Sequence, residues 1–239
     1  MLSKNNVLCF LGDSITEGVG TTKVYFEYIA GATGAEVHGF GVNGAPTMGL
    51  FAQMERMDRE VGGAFDTLFV LIGTNDYNAG VPIGTFFTEH TVEVGCDSNA
   101  AGEFTAYATR RKREFVMDEG TFCGRLNMVF SALRHRYADK RILLLTPLHR
   151  AYAYFGGTNI QPDELHTNRA GVYFEEYIHA LREAADIWSL ELIDLYRDAG
   201  LFPLYDESGN RYFHDGIADR LHPNAEGHRR IAETILNKV

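Results

Sequence analysis

Val7-Leu8-Cys9-Phe10-Leu11-Gly12-Asp13-Ser14-Ile15-Thr16-Glu17-Gly18 is the stretch on which the fold turns. Its five leading residues are apolar without a break. That is too short for a bilayer span, and it has no polar face for solvent. It reads as a strand covered on both sides. Glycine and small polar residues then end the strand and start a turn. Two further runs behave alike: 67–72, and Ile142-Leu143-Leu144-Leu145, which is ended by Pro147. Shorter strands are expected near 35–39 and 190–195.

Between these strands the apolar residues recur at helical spacing. Leu50, Met54, Met57 and Val61 form one stripe, Phe122, Leu126, Val129 and Leu133 another, and Phe174, Tyr177, Ile178 and Leu181 a third. Tyr25, Ile29 and Ala32 mark an earlier helix, and Ile231, Ile235 and Leu236 the last, with Asn224 as its N-cap. Strands alternating with amphipathic helices predict an α/β fold. The expected form is a three-layer α/β/α sandwich around an open, doubly wound, five-stranded parallel sheet of flavodoxin-like kind. One domain is expected over residues 1–239. Ligands of such sheets bind beyond the carboxyl ends of the strands.

Residues 77–121 do not fit an ordinary connection and are expected to be an insertion with some structure of its own. It carries the cluster Arg110-Arg111-Lys112-Arg113, which reads as a solvated face, as a hold for an anionic substrate, or as a contact for a neighbouring subunit.

Composition narrows the function classes. Of 239 residues, 45% are hydrophobic and 23% charged, enough to bury a sizeable core and too apolar for a disordered chain. The net charge of −10 argues against nonspecific nucleic-acid binding and against adsorption to an anionic membrane. No run is long enough for an integral membrane segment. Cys9, Cys96 and Cys123 are widely spaced and form no zinc pattern. A lone Lys4 precedes the first strand, so no leader is read and a cytoplasmic location is expected; a leader removed before residue 1 would leave the same sequence.

Four polar stretches fall where ligands should bind. Ser14 follows the first strand, either as an exposed nucleophile or as a helix N-cap. Gly41-Val42-Asn43-Gly44 follows the second and lets backbone approach a ligand. Gly73-Thr74-Asn75-Asp76 follows the third, where Asn75 is either a side-chain donor or a turn residue. Asp219-Arg220-Leu221-His222 precedes the last helix; a tight loop there would let the carboxylate take the imidazole Nδ1–H. His214-Asp215 is a decoy pair, because adjacent side chains point apart.

Taken together and in this order, the four stretches resemble the GDSL esterases and lipases, also called SGNH hydrolases. The likeness runs from Gly12 to Asn224 and leaves the insertion and much of 148–215 without a motif. It implies Ser14 as nucleophile of an acyl-enzyme, His222 as general base, and Asp219 as the group that orients it. It implies an oxyanion hole from Ser14, Gly44 and Asn75, and neither metal nor organic cofactor. The serine turn is not the Gly-x-Ser-x-Gly elbow, since position 16 is Thr.

The substrate is expected to touch Asp13, Tyr77, His149 and Arg150, with His90 and His166 in loops within reach; His38, His135, His179 and His228 are expected on the surface or on helix faces. Aromatic and polar residues at the strand ends, including Tyr152, Tyr154 and Phe155, favour short acyl esters of a small molecule or a glycan. The alternatives are a lysophospholipase or acyl-thioesterase for medium chains, and a noncatalytic binding protein on the same scaffold. A homo-oligomer contact through the insertion is a further expectation.

Overall fold

The structure is a computed structural model and describes residues 2–239. Its strands are β1 Val7–Gly12, β2 Glu36–Gly39, β3 Thr67–Leu71, β4 Phe87–Ser98, β5 Phe104–Phe115, β6 Arg141–Leu145, β7 Ala153–Tyr154, β8 Ile160–Gln161, β9 Glu191–Ile193, β10 Phe213–Asp215 and β11 Asp219–Pro223. Its helices are α1 Ser14–Glu17, α2 Tyr25–Thr33, α3 Leu50–Glu60, α4 Thr74–Asn78, α5 Phe122–Arg136, α6 Phe174–Ile187, α7 Leu195–Asp198, α8 Asp206–Tyr212 and α9 Ala225–Leu236.

The central sheet runs β2-β1-β3-β6-β9, and every neighbouring pair is parallel. Because side chains alternate along a strand, each inner strand feeds two cores. Cys9, Leu11, Leu68, Val70 and Leu144 pack with α3, α5 and α6. Leu8, Phe10, Phe69, Leu71 and Leu143 pack with α2 and α9. Phe10 stacks on Phe69 across the strand pair at 4.7 Å. Each large apolar side chain buried this way contributes about 1.5–3 kcal/mol. This is the expected doubly covered five-stranded sheet, and Asn224 caps α9 by accepting from the Glu226 and Gly227 amides.

Two features depart from expectation, and a third takes one of two expected forms. The last central strand stops at Ile193 because Asp194 turns to other partners: its carboxylate accepts from Thr146 Oγ1 at 3.1 Å and caps α7 through the Arg197 amide at 3.2 Å. Asp219 and His222 sit on a strand rather than in a loop, within a second, antiparallel sheet ordered β10-β11-β7-β8. Its strands are two to five residues long, too short to show a period, and only the pairing of β7 with β11 joins distant sequence, so no local pattern announces the sheet. His228, expected on the surface or on a helix face, lies on the inner face of α9 and is wholly buried. Its Nδ1 accepts from the Tyr25 amide at 3.2 Å, and its ring lies parallel to Tyr25.

Burial, with His222 nearby, pushes the His228 pKa down to about 3. The unfolded ring takes up a proton near its ordinary 6.5, and the folded one only near 3. The stability this site contributes is therefore intact above about 6.5 and drains as the pH falls towards 3. His228→Gln should flatten that limb of the stability curve in urea titrations taken across the same interval.

The span 77–121 holds the end of α4 and a hairpin of two twelve-residue strands, β4 and β5, which pair antiparallel over their whole length. Cys96 is exposed on this arm, whereas Cys9 and Cys123 are buried free thiols. No helix among the described residues is long and apolar enough to cross a membrane.

Candidate active site

The end of β1 is held rigidly. Gln53 of α3 clamps Gly12 from both sides: its Oε1 accepts from the Gly12 amide at 2.9 Å, and its Nε2 donates to the Gly12 carbonyl at 2.8 Å. A Cβ at Gly12 would lie 2.2 Å from Thr16 Oγ1, so only glycine fits beneath the turn. Asp13 caps α1 by accepting from the Ile15 amide at 3.0 Å. The cap is thus Asp13 and not Ser14. Ser14 becomes the first residue of α1, where an N–H has no intrahelical acceptor.

Ser14 Oγ lies 2.9 Å from His222 Nε2, and His222 Nδ1 lies 2.8 Å from Asp219 Oδ2. The other Asp219 oxygen accepts from the Leu221 and His222 amides, both at 3.1 Å. Burial pushes this carboxyl up, but the His222 ring and the two amides outweigh it and hold the pKa below the ordinary value. The decoy pair is separate: His214 Nδ1 bonds to the Gly20 carbonyl, and Asp215 accepts from the Ile217 and Ala218 amides.

Gly44 adopts φ +76°, the left-handed region that favours glycine, and the space where its Cβ would stand is open. Asn75 is the second residue of α4, and its Nδ2 donates to the Ala45 carbonyl at 3.1 Å, which fixes the amide and leaves its second N–H to spare. Ser14, Gly44, Asn75 and His222 line one cavity of about 370 Å³. Asp76, the next residue, is buried and locks the two loops together. It accepts from the Thr47 amide at 2.9 Å and hydroxyl at 2.8 Å, and pairs with Arg125 at 2.9 Å.

None of the four expected substrate contacts lines this cavity. Asp13 is 1% exposed and spent on its cap; burial, opposed by the Ile15 amide and His222, raises its pKa to about 6. Tyr77 is buried, with its ring edge-on to Phe174 and its hydroxyl donating to the His166 carbonyl at 2.7 Å. His149 turns away to Glu164, at 2.6 Å, and packs on Tyr196. Arg150 is 1% exposed, and burial lowers its pKa to about 10. His90 and His166 do not line the cavity either; they face Glu114 and Asp163.

Arg150 instead braces the site from below. It donates to Asn78 Oδ1 and to Gln161 Oε1, and sits over the Tyr77 ring. Asn78 Nδ2 in turn donates to Asn75 Oδ1 at 3.4 Å. A buried cation thereby reaches Asn75 through one intervening amide, and each bond polarises the next.

The remaining walls come from Val19, Asn43, Phe155, Asn159, Gln161 and Leu221. Phe155 stands 5.6 Å from the His222 ring and belongs to the β7–β8 turn, which the short pairing of β7 with β11 ties to the Asp219 end. Of these, Asn43 and Leu221 fall within two of the four polar stretches and Phe155 within the aromatic and polar segment after the fourth central strand; Val19, Asn159 and Gln161 carried no sequence signal. Gln53 and Asp76 were missed as supports, although Asp76 stands beside Asn75 in the third stretch. The site can do nucleophilic chemistry with proton transfer: a hydroxyl, an imidazole and a carboxylate in line, with N–H donors beside the hydroxyl.

Among solved structures, a protein from Lactobacillus plantarum superposes with a TM-score of 0.73 at 24% identity, covering 97% of this chain and 95% of its own. An acetyl xylan esterase, AlAXEase, superposes at 0.57 with 22% identity, covering 98% and 99%. An acetylxylan esterase from Geobacillus stearothermophilus, crystallised as a catalytic mutant, superposes at 0.57 with 16% identity, covering 100% and 95%. At such identities these likenesses show the fold. No curated protein matches the chain. A family model does, over residues 10–230, and by it the chain belongs to the GDSL-like lipase/acylhydrolase family and is a carboxylic ester hydrolase.

Proposed function

We propose that the chain hydrolyses short-acyl esters, of acetyl type and carried on a carbohydrate or similar polar alcohol, through an acyl-enzyme on Ser14. The observation that carries this reading is the Ser14–His222–Asp219 line, at 2.9 and 2.8 Å, opening beside Gly44 and Asn75 into one cavity. Ser14 Oγ attacks the ester carbonyl carbon while its proton passes to His222 Nε2. The carbonyl oxygen gains the negative charge and takes hydrogen bonds from the Ser14 and Gly44 amides and from Asn75 Nδ2; one such donor is worth about two to three orders of magnitude in turnover. The imidazolium, steadied by Asp219, gives its proton to the leaving alkoxide as the C–O bond breaks. Water then attacks the acyl-enzyme by the same route in reverse, releasing the acid and restoring the Ser14 hydroxyl.

The acetyl preference rests on the walls. Asn43, Asn159 and Gln161 bring polar groups to the cavity, and Phe155 offers a flat apolar side next to His222. That mixture suits a sugar ring more than a long acyl chain. Two of the similar folds belong to enzymes described as acetylxylan esterases, which agrees with it. The test is a chain-length series of p-nitrophenyl esters. The kcat/KM should fall at least about tenfold from acetate to octanoate, since one methylene that a pocket rejects is worth about 1–3 kcal/mol. A rise towards octanoate would instead favour a lysophospholipase or thioesterase for medium chains.

A further inference from the structure

The active-site cavity has a neighbour. Gln161, which forms part of its wall, also lines a second, smaller cleft of about 160 Å³. Asn78 lines that cleft too, and its Nδ2 reaches Asn75 Oδ1 at 3.4 Å, so little more than two amide side chains separates the two spaces. Ile160 and Pro162 give the cleft an apolar side, and Arg169 is the one charged residue in its wall. No carboxylate lines it.

The buried Arg150 decides what the neutral groups of this cleft can offer. A guanidinium has donors and no acceptor, so the amides that meet it must turn their oxygens to it. Arg150 takes Asn78 Oδ1 and, at 3.3 Å, Gln161 Oε1. What those amides have left is N–H: Asn78 keeps one beyond its bond to Asn75, and Gln161 keeps two. Asn168 has nothing left. Its Nδ2 donates to the Tyr77 carbonyl and the Tyr177 hydroxyl, and its Oδ1 accepts from the Ala170 and Val172 amides. The Thr167 hydroxyl, in the same wall, can donate as well. The cleft therefore holds a surplus of donors.

Arg169 adds a full positive charge to them. Its stem lies across Gly80, which adopts φ +63°; a Cβ there would meet Arg169 Cγ at 2.2 Å and Nε at 2.9 Å. The glycine seats the stem and leaves the side chain exposed at the cleft. The carboxylates of the preceding loop are engaged elsewhere. Asp163 pairs with His166 at 2.8 Å, and Glu164 with His149 at 2.6 Å. Among the described residues Arg169 has no ion-pair partner. Arg150 also faces only amide and carbonyl oxygens, and its Nε has no partner at all. On a chain of net charge −10, a donor-rich cleft with an open guanidinium and no carboxylate is complementary to an anion. One open guanidinium among neutral amides balances the single charge of a carboxylate, and its planar fork matches that group two bonds at a time. A phosphate, with nearly twice the charge, would keep much of it unmet.

We infer that this cleft receives the carboxylate of an acidic sugar, the alcohol part of the ester cut at Ser14; the inference rests on the reading of the chain as an esterase for carbohydrate esters. Mono-acetates of methyl glucuronoside, acetylated at mixed positions, should be hydrolysed with a kcat/KM at least about tenfold above those of methyl glucoside, the worth of charge-assisted hydrogen bonds to one carboxylate. Arg169→Gln should bring that ratio to about one, through KM for the acidic esters and not through kcat, as removal of a uniform binding contact does. Arg169→Glu should invert it. Binding is read without turnover: in an NMR titration of the wild type, methyl glucuronoside should bind at least about tenfold tighter than methyl glucoside, and in Arg169→Gln the two should bind alike. A wild-type protein that leaves p-nitrophenyl acetate intact would count against the esterase reading alone. Equal binding of the two sugars, or a preference for the acidic one that survives Arg169→Gln, would overturn the acidic subsite.

Discussion

Ser14→Ala should lower kcat/KM for p-nitrophenyl acetate by about five to six orders of magnitude, the loss that follows removal of the nucleophile from a concerted serine site. It should do so without unfolding anything. The Ser14 hydroxyl bonds to His222, whereas the cap that starts α1 is the Asp13 carboxylate. Alanine is also the best helix former, so it suits the first position of α1. The thermal midpoint should therefore stay within about 2 °C of wild type, as for a change worth no more than about 0.5 kcal/mol. A variant that lost activity and stability together would point to damage in the β1–α1 turn, not to lost chemistry.

Asp219→Asn carries the second large effect, about four orders of magnitude in kcat with KM nearly unchanged. The substitution is gentle to the fold, because an amide oxygen can still accept from the Leu221 and His222 amides, as Oδ1 now does. The other side is where it fails. An NH2 group facing His222 Nδ1 forces that nitrogen to accept, which moves the ring proton to Nε2, where it blocks the transfer from Ser14. Steady-state kinetics across the neutral range check the rate. The same variant has a signature in acid. Asp219 ionises more readily folded than unfolded, so its share of stability is present above the ordinary carboxylate range and is lost as the pH falls through its folded value. Asp219→Asn should therefore show a shallower loss of stability in acid than wild type.

The sheet was legible because β1, β3 and β6 are short apolar runs that only a doubly covered sheet can use. The antiparallel sheet of β7, β8, β10 and β11 was not. Its two short hairpins are joined through one pairing of distant segments, Ala153 with Asp219, and strands of two to five residues leave no period to read. Ser14 and Asn75 could be picked out by residue type at a strand end, Asp219 and His222 by their spacing ahead of the last helix, and all four together by the resemblance of their order to a known family. Direction could not be found the same way. Asp13 and Ser14 are neighbours, yet one side chain caps inward while the other faces the cavity. Arg150 looked like a solvent-facing contact because a buried guanidinium depends on partners, Asn78 and Gln161, that only the fold assembles. The span 77–121 stood out by its length, but that it forms one long two-stranded arm appears only once β4 and β5 are in register.

The central claim is that Ser14 is a nucleophile that becomes acylated. The most direct measurement is intact-mass and peptide mass spectrometry of the protein after exposure to a fluorophosphonate, a reagent that phosphonylates activated serines. One adduct per chain is expected, on the peptide holding Ser14, with none on Ser14→Ala and strongly slowed labelling on His222→Ala. A folded wild-type protein that stays unlabelled, or one labelled at another residue while Ser14 remains free, would contradict it.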